Sequence, residues 1–153
     1  MTLGAAEMSE SEEKLDQAEA IKRLNAALTQ QYRSALQYSI VASSLKGLEA
    51  QSLGVKLTEF GDDELSGARQ LLEKSVSFGG EPTTEVGGLR FEVEAADAIA
   101  WLARCEEEVI EALQEAIEPT GREGRSEALE HMLEHQIMRK QEQVDFLRRA
   151  LAG

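Results

Sequence analysis

The sequence predicts an all-α protein, an antiparallel four-helix bundle with one long crossover between the second and third helices. Three observations support this fold class. Four long segments carry apolar residues at helical spacing, and no segment alternates with the period of a strand for long enough to build a sheet. The links between the four segments also differ greatly in length, which favours one particular order of helices.

Turn-forming residues separate the four segments. Gly47 follows the first segment as a candidate C′ residue, and the glycine pair 79–80 follows the second. Pro119 and Gly121 close the third segment, and Ser126 is a candidate N-cap of the fourth. The predicted helices cover about residues 15–46, 50–78, 95–118 and 127–151.

The link between the second and third helices is long enough to span the bundle. It runs from Gly79 to Glu94 and contains 16 residues. Fully extended, it reaches about 50 Å, whereas a helix of about 27 residues is about 40 Å long. This crossover would therefore set the third helix parallel to the second, and the two short links would make antiparallel pairs. A loose surface loop is the alternative.

Length and charge indicate one domain without a nucleic-acid or membrane partner. A chain of 153 residues can bury a stable core, and we expect a flexible N-terminal segment at 1–13 and the bundle at 14–153. The formal net charge of −13 disfavours binding to nucleic acid or to an anionic membrane. Cations, basic proteins or copies of the chain are the expected partners.

The single cysteine, Cys105, excludes an internal disulfide and suits a reducing compartment. Its position is typical of a small core residue. The acidic N-terminus lacks the apolar run of a secretory signal, and no stretch reaches the roughly 20 apolar residues that cross a bilayer. We therefore expect a cytoplasmic protein.

One polar residue interrupts the apolar stripe near the middle of each predicted helix. Bundled helices would bring these residues together inside the core, where charges are costly unless they are paired or bind a metal. Any site chemistry should therefore lie in this core polar cluster. Its residues are Gln31, Glu64, Glu106, Lys140 and, one turn after the lysine, Gln143.

Several runs of residues resemble the bacterioferritins within the ferritin-like superfamily. The first helix matches at Leu24-Asn25 and Gln37-Tyr38, the crossover at GGEPTTEVGG, and the last helix at VDFLRRAL. The resemblance extends from about Ile21 to Leu151 and implies a ferritin-like antiparallel four-helix bundle.

The resemblance also implies where metal ligands would lie. Family members bind two irons through a Glu from one helix of each pair and a Glu-x-x-His from the other. At the matching positions, Glu64 and Glu106 remain as candidate metal-ligand carboxylates. The other four ligand positions hold Gln31, Gly67, Lys140 and Gln143.

These substitutions predict a different chemistry in the core. Iron prefers carboxylate oxygens and imidazole nitrogens, whereas a protonated lysine offers only donors. We expect the Lys140 ammonium to take the metal's place between Glu64 and Glu106, with the two glutamines completing the hydrogen bonds. The alternative is that Lys140 extends to solvent.

Two departures from the family pattern argue against haem and against a closed shell. The methionine that ligates haem in the family aligns with Leu65, and the short fifth helix of the 24-subunit shells is missing. We expect a homodimer that uses the apolar residues Tyr32, Leu36 and Ile40 of the first helix. Another ferritin-like subunit is a further candidate partner.

Two functions remain open. The favoured one, because four ligands are lost, is a non-catalytic ferritin-like protein without a cofactor, serving as an interaction module, a structural module or an accessory subunit. The alternative is a bacterioferritin-like protein that binds or stores iron through substituted ligands.

Two other groups of polar residues are more typical of a solvated helix face than of a metal site. His131 and His135 stand four residues apart and could bind one ion, but they lie opposite the apolar stripe. Four glutamates of the third helix form a similar charged surface. They are Glu107, Glu108, Glu111 and Glu115.

Overall fold

Four helices make up most of the described chain. The computed structural model describes residues 16–117 and 124–152, and it contains no strand within these ranges. The expected flexible segment 1–13 and the predicted helix-closing residues Pro119 and Gly121 lie outside the described residues. The all-α prediction is confirmed. The helices are α1 (Gln17–Ser44), α2 (Leu48–Ser77), α3 (Ala95–Ile117) and α4 (Gly124–Ala152).

At the ends of the first two helices, the predicted glycine after α2 is confirmed and the predicted role of Gly47 is corrected. α1 begins after Asp16, whose side chain accepts a hydrogen bond from the Glu19 amide at 3.1 Å. Gly79 follows α2 with φ of +81°, a conformation that favours glycine. Gly47 was wrongly placed as the C′ residue of α1. That helix ends at the extended residue Leu45, and Gly47, with φ of +88°, is instead the N-cap of α2.

The fourth helix begins earlier than predicted. α4 starts at Gly124, so Ser126 lies inside the helix with a buried side chain rather than at the N-cap. Because glycine is also acceptable at the start of a helix, the serine is not needed there. The predicted cap was therefore wrong.

The apolar core has two parts. α1 packs against α2 and α3, and α4 packs against α3 and, less extensively, against α2. One apolar cluster lies at the end of the bundle that holds the start of α1, and the other lies at the opposite end. The largest fully buried side chains are Leu24, Leu28, Leu71, Leu113, Leu129 and Leu133 in the first cluster, and Tyr38, Leu57, Leu102 and Leu147 in the second.

The crossover runs along α1 and is held by its side chains. Asn25 bonds the backbone of residues 81 and 83, with the Thr83 amide donating to Asn25 Oδ1 at 3.0 Å. Farther along, the Gln37 amide donates to the Arg90 carbonyl at 2.7 Å and accepts from the Arg90 amide at 2.9 Å. The segment therefore follows α1 in the same direction and sets α3 parallel to α2. The predicted crossover is confirmed, in place of a loose loop.

No helix in the described ranges is long and apolar enough to cross a membrane.

Candidate functional site

A layer of buried polar side chains separates the two apolar clusters. Each of the four helices contributes to it, because its polar residue lies in the same stripe as its apolar residues. All of the predicted cluster residues are almost completely inaccessible to solvent. The exposed fraction is 0% for Gln31, Glu64, Glu106 and Lys140, and 2% for Gln143.

Lys140 lies between the two carboxylates. Its Nζ donates to Glu64 Oε2 and to Glu106 Oε1, the latter at 3.4 Å. Because all three side chains are fully buried, the ammonium does not extend to solvent. The structure therefore forms an ion cluster of one cation and two carboxyl groups, linking α2, α3 and α4.

Two glutamine amides occupy other acceptor positions of these carboxylates. Gln31 Nε2 donates to Glu64 Oε2 at 2.5 Å and to the Glu64 backbone carbonyl at 2.6 Å. When the amide orientation of Gln143 is assigned from the acceptors around it, its nitrogen donates to Glu64 Oε1 and to Glu106 Oε2, both at 2.5 Å. Both Glu64 oxygens thus accept hydrogen bonds from amides, which partly offsets the cost of burial.

The two carboxyl groups differ in their proton affinity. Burial raises the pKa of Glu64, but the Lys140 ammonium, a hydrogen bond with Glu106 and the Arg139 guanidinium together outweigh burial, so this pKa lies below its ordinary value. Burial and the negative charge of Glu64 raise the pKa of Glu106 well above its ordinary value. Burial, followed by the charges of Glu106 and Glu64, also raises the pKa of Tyr38. Glu106 therefore holds its proton more tightly than Glu64, although both side chains contact the same ammonium.

Arg139 is a second cation at the layer, and the sequence reasoning missed it. Its Nη2 lies 3.9 Å from Glu64 Oε2. A Cβ atom at Gly67 would lie only 2.9 Å from Arg139 Nη2 and 2.9 Å from Gln31 Nε2. The missing side chain at Gly67 is therefore what makes room for the guanidinium. A glycine in the middle of a helix, beside a core polar residue, was the signal that could have revealed it.

The other candidate residues lie outside this layer. His131 and His135 are exposed on α4, as expected for a solvated helix face. Leu65 is 47% exposed on α2. Cys105 is fully buried, and burial raises the pKa of its thiol to about 12. A protonated, buried thiol is a poor nucleophile, which agrees with a packing role.

The acidic surface on α3 is also solvated. Two of its glutamates form ion pairs with arginines, Glu108 with Arg33 and Glu107 with Arg148. All four of the glutamates named from the sequence are exposed. They are Glu107, Glu108, Glu111 and Glu115.

The connectivity and the buried polar layer define a ferritin-like four-helix bundle. A family model described as the ferritin-like domain matches residues 21–152. The chain belongs to this family, which confirms the resemblance read from its sequence. A search of curated protein sequences finds no significant match.

Solved structures agree with this assignment and make the protein bacterioferritin-like in fold. A ferritin-like, di-iron-carboxylate protein from Bacillus anthracis str. Ames is 25% identical, with a TM-score of 0.83 over 89% of this chain and 97% of that one. The dodecameric thioferritin of Bacteroides fragilis, a bacterioferritin-related protein, is 19% identical, with a TM-score of 0.81 over 91% and 88%. Rhodobacter capsulatus bacterioferritin, described with a metal-free dinuclear site and haem iron, is 21% identical, with a TM-score of 0.78 over 91% and 86%.

The polar layer does not fit the pair of irons that the family's fold can hold. No group of three or more His, Cys, Asp or Glu side chains gathers at a metal-binding distance in the described ranges. The space beside Gly67 is filled by nitrogen atoms of Arg139 and Gln31, which carry hydrogens and have no electron pair to give a metal. The Lys140 ammonium already lies between the two carboxyl groups.

Proposed function

We propose that the protein is a non-catalytic member of the ferritin-like family, in which an internal ion cluster replaces the di-iron site. It would act as a structural or interaction module, or as an accessory subunit. The observation that carries the proposal is the contact of Lys140 Nζ with both Glu64 and Glu106 inside the bundle. An ammonium there supplies the positive charge that the buried carboxylate needs, and it repels Fe²⁺.

Arg139 supports the same proposal. A second positive charge 3.9 Å from Glu64 further disfavours a divalent cation at this carboxylate. The guanidinium also fills the space that an imidazole at position 67 would need. Lys140 and Arg139 thus bring two positive charges to Glu64, as expected if protein side chains take the place of two metal ions.

Aerobic oxidation of Fe²⁺ by the purified protein, combined with metal analysis, tests the proposal. We expect oxidation no faster than in buffer, and no retention of two irons per chain. The matched controls are Glu64→Gln in the core and Glu111→Gln on the exposed surface of α3. Binding of two irons per chain that is lost in Glu64→Gln but kept in Glu111→Gln would overturn the proposal.

Iron binding or storage through substituted ligands is the second candidate function. The similarity to a di-iron-carboxylate protein at 25% identity favours it. In this case iron would bind at the cluster through Glu64 and Glu106 with substituted ligands, or it would collect on exposed carboxylates of an assembly. Retained iron that is lost in Glu64→Gln would support the first of these, and retained iron that is unaffected by Glu64→Gln but reduced by Glu111→Gln would support the second.

We also propose that the chain forms a homodimer through an apolar face made by α1, α2 and the crossover. Leu36, Leu65 and Val86 are 46%, 47% and 44% exposed. They line an open cavity of about 340 Å³ together with Tyr32 and Thr84. Exposed apolar residues that are gathered in one place commonly mark an interaction surface.

A cytoplasmic location stays a prediction.

Light scattering tests the homodimer. We expect a mass of two chains for the parent and of one chain for Leu36→Glu. Leu48→Glu is the control, because Leu48 is 88% exposed at the start of α2 and does not line this cavity. A dodecamer, as named for the Bacteroides fragilis protein, would contradict the dimer and show a larger assembly.

A further inference from the structure

Three arginines surround the side chain of Trp101 on α3. The guanidinium carbon of Arg90, in the crossover, lies 4.0 Å from the centre of the indole ring. Those of Arg33 on α1 and Arg104 on α3 lie at 5.3 Å and 6.0 Å. Each contact is a favourable cation–π interaction, but three like charges around one ring repel one another.

Ion pairs within the described ranges neutralise only part of this charge. Arg33 pairs with Glu108. Arg90 and Arg104 make no ion pair with any residue in those ranges. Among the described residues, the exposed side chains of Arg90 and Arg104 thus carry two positive charges without a paired carboxylate, in a protein whose formal net charge is −13.

Two buried hydrogen-bond donors in the same cluster have no acceptor. They are Trp101 Nε1 and Arg33 Nε, and neither has a partner within the described part of the chain. Both side chains are more than nine-tenths buried, at 8% and 6% exposed. Because these groups can only donate, the partner they lack must be an acceptor. Unsatisfied buried donors are costly and uncommon in folded proteins.

We propose that Arg33, Arg90, Arg104 and Trp101 form a binding site for a phosphate-type oxyanion. The ligand is inorganic phosphate or the phosphoryl group of a small phosphomonoester. A phosphate dianion matches the two uncompensated charges and has several oxygens to accept from guanidinium groups and the indole. Chloride or a single carboxylate would neutralise only half of this charge. The site is separate from the polar layer, so the proposal does not depend on the protein's relation to iron.

Trp101 is the protein's single tryptophan, so its fluorescence reports on this site. Inorganic phosphate, titrated at an ionic strength held constant with sodium chloride, should change the fluorescence in a saturable way. Removing a charged hydrogen-bond donor in Arg90→Gln or Arg104→Gln should weaken binding about tenfold or more. Arg69→Gln, which removes an exposed arginine from α2, should leave the affinity unchanged.

Phosphate should also raise the Tm of the parent protein and of Arg69→Gln, and raise that of Arg104→Gln less. A parallel titration with glycerol phosphate separates the two ligand sources. Tighter binding of the ester identifies a phosphorylated metabolite as the ligand, and tighter or equal binding of inorganic phosphate identifies the free ion. A response that does not saturate and is reproduced by chloride would overturn the site. Equal affinity in Arg104→Gln and Arg69→Gln would do so as well.

Discussion

Replacing Lys140 by methionine should strongly destabilise the bundle, because it removes the cation of the buried cluster while largely preserving side-chain volume. The ammonium contacts Glu64 and lies 3.4 Å from Glu106, and all three side chains are 0% exposed. Removing one partner of a buried ion pair costs about 3–5 kcal/mol. Arg139, 3.9 Å from Glu64, remains as partial compensation, so the lower half of that range is expected.

Thermal and chemical unfolding measure this loss. At roughly 2–4 °C per kcal/mol for a chain of this size, the Tm should fall by about 6–16 °C. Lys22→Met, at an exposed position of α1, is the control and should change stability by no more than about 0.5 kcal/mol. A Tm of Lys140→Met within about two degrees of the parent would refute the reasoning, since a surface lysine behaves in that way.

The loss should depend on pH. In the parent, the lowered pKa of Glu64 contributes stability above its unfolded pKa, and this is lost as pH falls through the folded pKa. The raised pKa of Glu106 contributes stability below its unfolded pKa, and this is lost as pH rises through the folded pKa. Without Lys140, burial should raise both pKa values. The deficit of Lys140→Met should therefore be larger at pH 8 than at pH 5.

A triple variant separates charge from packing. Adding Glu64→Gln and Glu106→Gln to Lys140→Met removes the uncompensated carboxylates, and neutral replacement of a buried ion pair is often neutral or stabilising. Most of the lost stability should return. If the triple variant is as unstable as Lys140→Met, lost packing rather than charge explains the effect.

Three further predictions concern the surroundings of the cluster. Gly67→Ala should lower the free energy of unfolding by about 1 kcal/mol, because its Cβ would displace the Gln31 amide from Glu64. Gly54→Ala, whose Cβ would make only ordinary contacts, should raise it by up to about 1 kcal/mol, and chemical unfolding of both variants tests this. Cys105 should react with a thiol reagent at pH 8 only as fast as the protein opens, since its pKa is about 12, and rapid reaction of the native protein would contradict this. A variant with four restored ligands should bind two irons per chain, as measured by metal analysis, only when Arg139→Leu is added. Equal binding by the fourfold variant without Arg139→Leu would show that the guanidinium does not obstruct the metals. The four are Gln31→Glu, Gly67→His, Lys140→Glu and Gln143→His.

The sequence predicted the helices and the position of the polar layer because both depend on periodicity. Gln31, Glu64 and Glu106 interrupt apolar stripes that must face the core, so their meeting follows from helix geometry alone. Arg139 could not be placed in this way. It lies beside the stripe on α4, and its approach to Glu64 depends on the space left by a residue of a different helix, Gly67.

Two of the helix caps and the contacts of Trp101 could not be predicted from the sequence. Gly47 and Ser126 are acceptable at several positions near a helix end, so residue type alone could not decide which helix each of them serves. The arrangement of arginines around Trp101 depends on how the crossover lies against α1 and α3. Nothing in the local sequence specifies those contacts.

Crystallography of the parent protein after soaking with Fe²⁺, with anomalous data collected at the iron edge, tests the central claim most directly. We predict no iron peak within the polar layer and Lys140 Nζ between Glu64 and Glu106. Two anomalous peaks bridged by Glu64 and Glu106, with Lys140 displaced, would contradict the account.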